Sequence, residues 1–234
     1  MHFTLIPITL ALALPAFASP VVETVEKRAA VDFLNPTDGG GSWLDMAAPP
    51  LGEPLNVVVS GLSSPELLDL SSGVFLKYAE AIGFDTECLG LHLGGPQSAN
   101  LGDGRGYVNQ TEELRESYGV DGSIGTCLET LEGGNHFRVF PQAGTNAIFL
   151  AVSQEQDLEN SHNIVPNGYV LGRDALVAGA VGKKTYFDLL EFKTYTFETT
   201  AVNMTGLLAP GSEGINHGIA QDGIITLLTV NYTS

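Results

Sequence analysis

The sequence predicts an α+β fold: a single domain built on a mixed, mostly antiparallel sheet, with a β-α-β unit at its start and a few packed helices. Three observations lead to this prediction. A strand-like, a helix-like and a second strand-like segment follow one another near the front. Two apolar segments in the middle of the chain alternate with the period of a β-hairpin. The last third is rich in Thr, Tyr, Phe, Val and Ile, which favour strands.

The front of the domain has the order of a β-α-β unit. Residues 31–54 are rich in Gly and Pro, so we expect an irregular arm there. The β-branched run at 55–60 predicts a buried strand. A single apolar stripe over residues 74–82, ended by Gly83, predicts a helix. Residues 89–93 are expected to form the next strand.

The central hairpin follows from alternation, since successive side chains of a strand point to opposite faces. Matching the apolar faces of its two strands gives three expected pairs: Phe137 with Leu150, Val139 with Ile148, and His136 with Ala151. On the second face His136 and Arg138 would lie roughly 7 Å apart. They either border a site or decorate the wetter face of a half-buried sheet.

The remaining segments complete the α+β prediction. We expect short helices at 111–118 and 126–131, a polar loop at 157–168, a helix at 171–181, and strands within 186–202 and 223–232. The glycine-rich stretch 94–106 lacks the Lys-Ser/Thr of a phosphate-binding loop and the spacing of a dinucleotide fingerprint. It is therefore interpreted as a flexible surface loop that could border a ligand site.

The N-terminus predicts secretion. Residues 1–18 contain a short apolar run that ends in Ala16-Phe17-Ala18, which is typical of a signal peptide. Residues 19–28 end in the dibasic pair Lys27-Arg28, so we expect a pro-segment and a secreted domain spanning 29–234. No later apolar run approaches the roughly 20 residues that a transmembrane helix needs, so no membrane span is predicted.

The charge of the chain limits its partners. The net charge is -17, and nucleic acids and anionic membranes are unlikely partners because both require clustered Lys and Arg. A hydrophobic content of 44% is enough for one domain with a sizeable core. We therefore expect a small molecule or an extracellular polymer as partner, and no cofactor is predicted.

Cysteine and asparagine positions fit an extracellular protein. The two cysteines, Cys88 and Cys127, predict one disulfide in a secreted chain, and the alternative is a reactive thiol with a histidine base. Glycosylation sequons occur at Asn109, Asn203 and Asn231. We expect these three asparagines to lie at the surface.

Several stretches resemble a family of uncharacterised secreted fungal proteins, mostly from basidiomycetes. The resemblance covers nearly the whole mature chain but implies no activity, and it depends on these segments: Phe33-Leu34-Asn35-Pro36, 52–57, 94–104, 133–138, and Gly168-Tyr169 with Gly172-Arg173-Asp174. The order of a strand before Gly61, the His136-x-Arg138 strand, the strand 149–153, His162 and Arg173-Asp174 also resembles the C-terminal domain of LssY-type bacterial membrane proteins. That resemblance groups five residues as a candidate catalytic site: His136, Arg138, His162, Arg173 and Asp174.

Such a group could support two kinds of chemistry. In the first, Arg138 and Arg173 hold the oxyanions of an anionic ester, while His136 or His162 acts as acid, base or nucleophile. In the second, a metal ion is bound by ligands drawn from His136, His162, His217 and Asp174. For Arg173-Asp174 the alternative is a salt bridge or cap near the start of a helix. Carboxylate pairs for glycoside hydrolysis also stay open.

The sequence thus favours a secreted, acidic fungal glycoprotein that acts as a ligand-binding or cell-surface-associated module. The alternatives are an extracellular hydrolase of an anionic ester and a metal-binding protein. The absence of a His-Glu-x-x-His motif and of a Gly-x-Ser-x-Gly nucleophile elbow places the binding module ahead of the enzyme.

Overall fold

The computed structural model describes residues 31–90, 95–119 and 123–233. These residues form a mixed eight-stranded sheet, a two-stranded sheet and four α-helices, which confirms the predicted α+β fold. The predicted signal peptide (1–18) and pro-segment (19–28) lie outside the described residues.

The elements have the following bounds. The strands are β1 Val57–Val59, β2 Phe84–Thr86, β3 Ser98–Asn100, β4 Tyr107–Asn109, β5 Glu112–Glu116, β6 Asn135–Pro141, β7 Ile148–Gln154, β8 Gly182–Asp188, β9 Lys193–Met204 and β10 Ile225–Thr233. The α-helices are α1 Pro65–Leu68, α2 Val74–Ala81, α3 Ser123–Glu132 and α4 Gly168–Ala180. Short 3-10 helices occupy Pro36–Gly39, Leu70–Ser72, Cys88–Gly90, Leu158–Asn160 and Asn216–Gly218.

The large sheet has the strand order β2-β5-β6-β7-β1-β10-β9-β8. Within the described ranges only β1 and β10 pair in parallel, so the sheet is mostly antiparallel as predicted. Four antiparallel steps separate β1 from β2, so these two strands run parallel and α1 and α2 connect them. This connection is the expected β-α-β unit.

The second strand of that unit lies earlier than predicted. It is β2, because Gly83, with a φ of 93°, ends α2 and turns the chain at once into the sheet. Residues 89 and 90 of the predicted strand belong to the 3-10 helix Cys88–Gly90, and residues 91–93 lie outside the described part of the chain.

The hairpin of β6 and β7 exists, but its predicted register is wrong by two residues. The observed pairs are Phe137 with Val152, Val139 with Leu150, and His136 with Ser153. The strands are closed by a four-residue turn, with Gln142 N donating to Ala147 O at 2.8 Å, in which Gly144 and Asn146 take positive φ. The predicted register would have forced a two-residue turn of Ala143 and Gly144. An even shift leaves the faces of the strands unchanged.

The predicted helix at 111–118 is wrong, since β5 occupies this segment. The run Glu-Glu-Leu-Arg-Glu consists of good helix formers, but β5 pairs with both β2 and β6. Long-range pairing therefore overrides local propensity. The loop predicted at 94–106 is also partly wrong, because β3 lies within it and Ala99 and Leu101 are fully buried.

Two apolar cores lie on opposite faces of the sheet. On one face Phe137, Val139 and Leu150 pack with Phe75 and Tyr78 of α2. On the other face Phe140 and Phe149 are covered by the N-terminal arm through Trp43, which is 2% exposed. This second core covers only one end of its face. The opposite end, toward His136, carries charged side chains instead.

Of the two covalent modifications that the sequence predicts, the structure confirms the disulfide and does not test the glycosylation. Cys88 and Cys127 form the expected disulfide, which ties the 3-10 helix after β2 to α3. Asn109, Asn203 and Asn231 are all exposed, as expected for glycosylation sequons, while their glycosylation stays a prediction. Among the helices of the described ranges, none has the length and apolar character that crossing a bilayer requires.

Candidate functional site

The charged end of the sheet contains two pairs of residues that face each other across β5 and β6. Strand pairing places Arg115 of β5 opposite His136 of β6, and Glu113 opposite Arg138. Since side chains alternate along a strand, all four point to the face away from Phe137. The predicted grouping of His136 with Arg138 on one face is therefore observed. The alternative of a wet, decorated face is wrong, because His136 is fully buried and the Arg138 side chain is only 11% exposed.

Arg115 lies at the centre of a buried ring of carboxyl groups. Its side chain is 3% exposed. It pairs with four glutamates: Glu155 at 2.7 Å, Glu113 at 3.3 Å, Glu129 at 3.4 Å, and Glu87 through Nε. One buried guanidinium therefore holds carboxyl groups from β5, α3 and the segments that follow β2 and β7.

The ring is too acidic for all of its carboxyl groups to be ionised together. Burial raises the pKa of Glu129 to about 8, and the neighbouring Glu155 and Glu87 add to the shift against the opposing effect of Arg115. Burial also raises the pKa of Glu155 to about 7, again against Arg115. Near neutral pH the Glu129 carboxyl group is therefore largely protonated. The Glu155 carboxyl group is about half protonated.

Arg138 is held by a second set of carboxylates. Its Nη1 donates to Glu53 Oε2 at 3.1 Å and to His136 Nε2 at 3.0 Å, while its Nε lies 3.4 Å from Glu113 Oε2. Beside Glu53, burial and then the Glu53 charge raise the pKa of Asp45 to about 8. Each guanidinium group of the site is thus ion-paired with at least two glutamates: Arg115 with four, and Arg138 with Glu53 and Glu113.

His136 is neutral and has a defined tautomer. Burial, followed by the charges of Arg138 and Arg115, holds its pKa well below the usual range. An arginine can only donate, so Nε2 of His136 accepts from Arg138 and Nδ1 carries the proton. That Nδ1 lies 3.4 Å from Glu155 Oε1, so the buried ring of His136 orients the carboxyl group of Glu155.

A cavity of about 310 Å³ opens above these side chains. Its floor contains Glu53, Glu113, Arg115, Arg138 and Glu155. Its rim comes from three loops and consists of Gly95, Gln97, Ser161, His162, Asn163, Ile164, Asn216 and His217. Three rim residues, Ser161, His162 and His217, have positive φ values of 57°, 51° and 60°. Such backbone geometry in non-glycine residues is concentrated at functional sites.

The structure brings together three of the five predicted catalytic residues. Glu155 connects them, because its carboxyl group lies 3.4 Å from His136 and 3.9 Å from His162, while Arg138 bonds to His136 directly. His217, named as a possible metal ligand, lies on the rim of the same cavity.

Arg173 and Asp174 belong to a different arrangement. Arg173 donates to Asp222 at 2.6 and 2.9 Å, to Asp174 at 2.7 and 2.9 Å, and to Ile224 O at 2.9 Å. Neither residue lines the cavity. Arg173 therefore ties α4 to the segment before β10, which corresponds to the salt-bridge alternative.

Sequence reasoning missed the carboxyl groups that define the site. Glu113 and Arg115 were missed because residues 111–118 were predicted to be a helix. On a strand, their i, i+2 spacing would have placed them on one face. Glu53, Glu129 and Glu155 lie far apart in sequence, and no local motif marks them.

The metal-binding alternative finds no support in this geometry. In the described ranges, no group of three or more His, Cys, Asp or Glu side chains is placed to hold a metal ion. Asp174, one of the proposed ligands, is bonded to Arg173 instead.

Comparison with known proteins gives no independent indication of function. No family model, no curated protein and no solved structure matches this chain.

Proposed function

We propose that this protein is a secreted binding module whose cavity takes a small organic cation, such as an amine or a guanidinium compound. The observation that carries the proposal is that both guanidinium groups at the cavity are already held by glutamates. Six carboxyl groups lie around them, and these outnumber the two guanidinium groups even when Asp45 and Glu129 are protonated: Asp45, Glu53, Glu87, Glu113, Glu129 and Glu155. A site with this excess of carboxyl groups favours a positive ligand.

The cavity wall suits hydrogen bonding to such a ligand. Ionised carboxylates accept hydrogen bonds only, and they match the N–H groups of an ammonium or guanidinium ion. The amide groups of Gln97, Asn163 and Asn216 add donors and acceptors at the rim. A volume of about 310 Å³ is at the lower end of small-molecule sites, so a compound of the size of agmatine fits within it.

This charge balance argues against an anionic ester as substrate. The ion pairs of Arg138 with Glu53 and Glu113 offset its positive charge, which weakens its attraction for an oxyanion. The second arginine invoked for that reaction, Arg173, is bonded to Asp222.

A hydrolase is the second candidate, and one observation favours it. Glu155 has a pKa of about 7 and lines the cavity, and a carboxyl group of that pKa can donate and accept protons at neutral pH. His136, fixed by Arg138, would act as a positioning residue for Glu155. Such a reaction would act on a neutral or cationic substrate, because the cavity is acidic.

The proposed setting is extracellular. The disulfide between Cys88 and Cys127 supports an oxidising compartment, and the exposed Asn109, Asn203 and Asn231 are accessible to glycosylation. The predicted leader and the resemblance to secreted fungal proteins support the same setting.

Glu53→Gln is expected to weaken binding of agmatine about tenfold, because the substitution removes one negative charge from the cavity floor. Arg138 keeps Glu113 as partner, so the fold should persist. Titration calorimetry measures the affinity. Binding should also weaken as the pH falls below about 7, since Glu155 then becomes protonated.

Glu66→Gln is the matched control, because it changes the net charge equally but lies exposed on α1. Its agmatine affinity should equal that of the unmodified protein. Inorganic phosphate should show no binding. If phosphate binds and agmatine does not, the cavity is an anion site and the proposal is wrong.

A further inference from the structure

The hairpin of β8 and β9 ends in a turn of exposed apolar side chains. Leu190 is 94% exposed, Phe192 82%, Leu189 60% and Phe187 49%. We call these four residues the apolar tip. A side chain that is 94% exposed touches almost nothing of its own chain, so the turn projects from the domain. The apolar tip lies on the opposite edge of the sheet from β2, and none of its residues lines the cavity.

Folding does not account for these residues. The turn is fixed by Asp188, whose Oδ1 accepts hydrogen bonds from the backbone N–H groups of Leu190 and Glu191 at 2.7 and 2.9 Å. Phe192 has a φ of 51°, a conformation that Gly or Asn adopts with less strain. A polar turn would therefore be more stable and more soluble. Apolar side chains in this place are explained by an external apolar contact.

Tyrosine and lysine side chains lie directly behind the apolar tip. Lys77 is placed over the Tyr186 ring at 5.3 Å, and Lys193 lies over the rings of Tyr195 and Tyr232 at 4.4 and 5.9 Å. Tyrosine rings with an apolar body and a polar end are enriched where proteins cross the boundary between lipid and water. Lysine stems can lie along that boundary while the ammonium group stays in water.

The charge around the apolar tip is balanced, although the whole chain carries -17. Asp188 pairs with Lys77 at 2.6 Å, and Glu191 accepts a hydrogen bond from the Tyr195 hydroxyl at 2.7 Å. All lysines of the described ranges lie on this hairpin or contact it: Lys77, Lys183, Lys184 and Lys193. This end of the molecule is therefore the one least repelled by lipid phosphates.

We propose that the apolar tip inserts into the headgroup region of a zwitterionic phospholipid surface. A second copy of the chain is a poorer occupant, because four side chains offer on the order of 500 Å², below the roughly 800 Å² per partner of a stable protein interface. A lipid surface requires no such matched area, since each inserted side chain adds to the affinity separately. The tip anchors the domain reversibly and leaves the cavity open to solvent.

Flotation of the full secreted chain with phosphatidylcholine vesicles tests this proposal. The unmodified protein should float with the vesicles, and Leu189→Ser/Leu190→Ser should partition at least about tenfold less. Leu131→Ser/Leu171→Ser is the matched control, because these leucines are 57% and 51% exposed on α3 and α4. The control should float like the unmodified protein.

Phe192→Asn separates lipid binding from folding. Asn tolerates a positive φ, so the melting temperature should stay level or rise by about 2 °C while flotation decreases. Three outcomes would overturn the proposal: no flotation of the unmodified protein, equal flotation of the tip variant, or equal loss in the control. A dimer in sedimentation that the tip variant abolishes, without vesicle binding, would show that a second copy is the occupant.

Discussion

Arg115→Met should lower the free energy of unfolding by about 3–5 kcal/mol, the range found when one partner of a buried ion pair is removed. Methionine has a similar length, so little of this loss comes from a cavity. The loss is electrostatic, because four buried carboxyl groups lose the guanidinium that all of them contact: Glu87, Glu113, Glu129 and Glu155. Equilibrium unfolding in urea measures the change.

A double variant tests whether the loss is electrostatic. Adding Glu155→Gln to Arg115→Met should restore part of the lost stability, since one carboxylate fewer then needs compensation. Arg105→Met is the matched control, because the Arg105 side chain is 40% exposed and its guanidinium pairs with Asp103 at 2.6 Å. That variant should lose no more than about 1 kcal/mol. Equal losses in both arginine variants would contradict a central role for Arg115.

Lowering the pH from 8 to 6 should increase the free energy of unfolding by about 2–4 kcal/mol. Three buried carboxyl groups have raised pKa values: Asp45 about 8, Glu129 about 8 and Glu155 about 7. In the unfolded chain the same groups titrate near 4. Between the unfolded and the folded pKa values the folded protein binds more protons than the unfolded chain. The stability that these three carboxyl groups contribute is therefore present at low pH and is lost as the pH rises through their folded pKa values of about 7 to 8.

His136 acts in the opposite direction over part of this range. Its folded pKa is depressed, so it stays neutral in the folded protein while the unfolded chain takes up a proton below about 6.5. The stability that His136 contributes is therefore present above that pH and is lost as the pH falls through its folded pKa. Three carboxyl groups outweigh one imidazole, and the net effect between pH 8 and 6 is stabilisation on acidification.

Glu129→Gln identifies the source of this pH dependence. The variant removes one of the raised carboxyl groups, so its melting temperature should change less between pH 8 and 6. Glu66→Gln, exposed on α1, should keep the full change. Relief of overall repulsion in a chain of net charge -17 would act equally in both variants. A melting temperature that falls on acidification, or equal slopes in both variants, would refute the assignment.

Local patterns predicted those features that depend on a few neighbouring residues. Alternation along β6 placed His136 and Arg138 on one face and Phe137 and Val139 on the other, as observed. That assignment survived a register error of two residues because an even shift keeps every side chain on its face. Local propensity failed for β5, whose helix-forming sequence is held in the sheet by strands on both sides.

The sequence by itself determined the fold class, the single disulfide and the direction in which each side chain of the central hairpin points. These depend on residue type and on the two-residue period of a strand. Only the tertiary structure decided that Glu53, Glu113, Glu129 and Glu155 meet around Arg115 and Arg138, and that Arg173 pairs with Asp222 instead. The reason is that a strand's own period fixes its faces, whereas its neighbours are chosen by contacts between residues far apart in the chain.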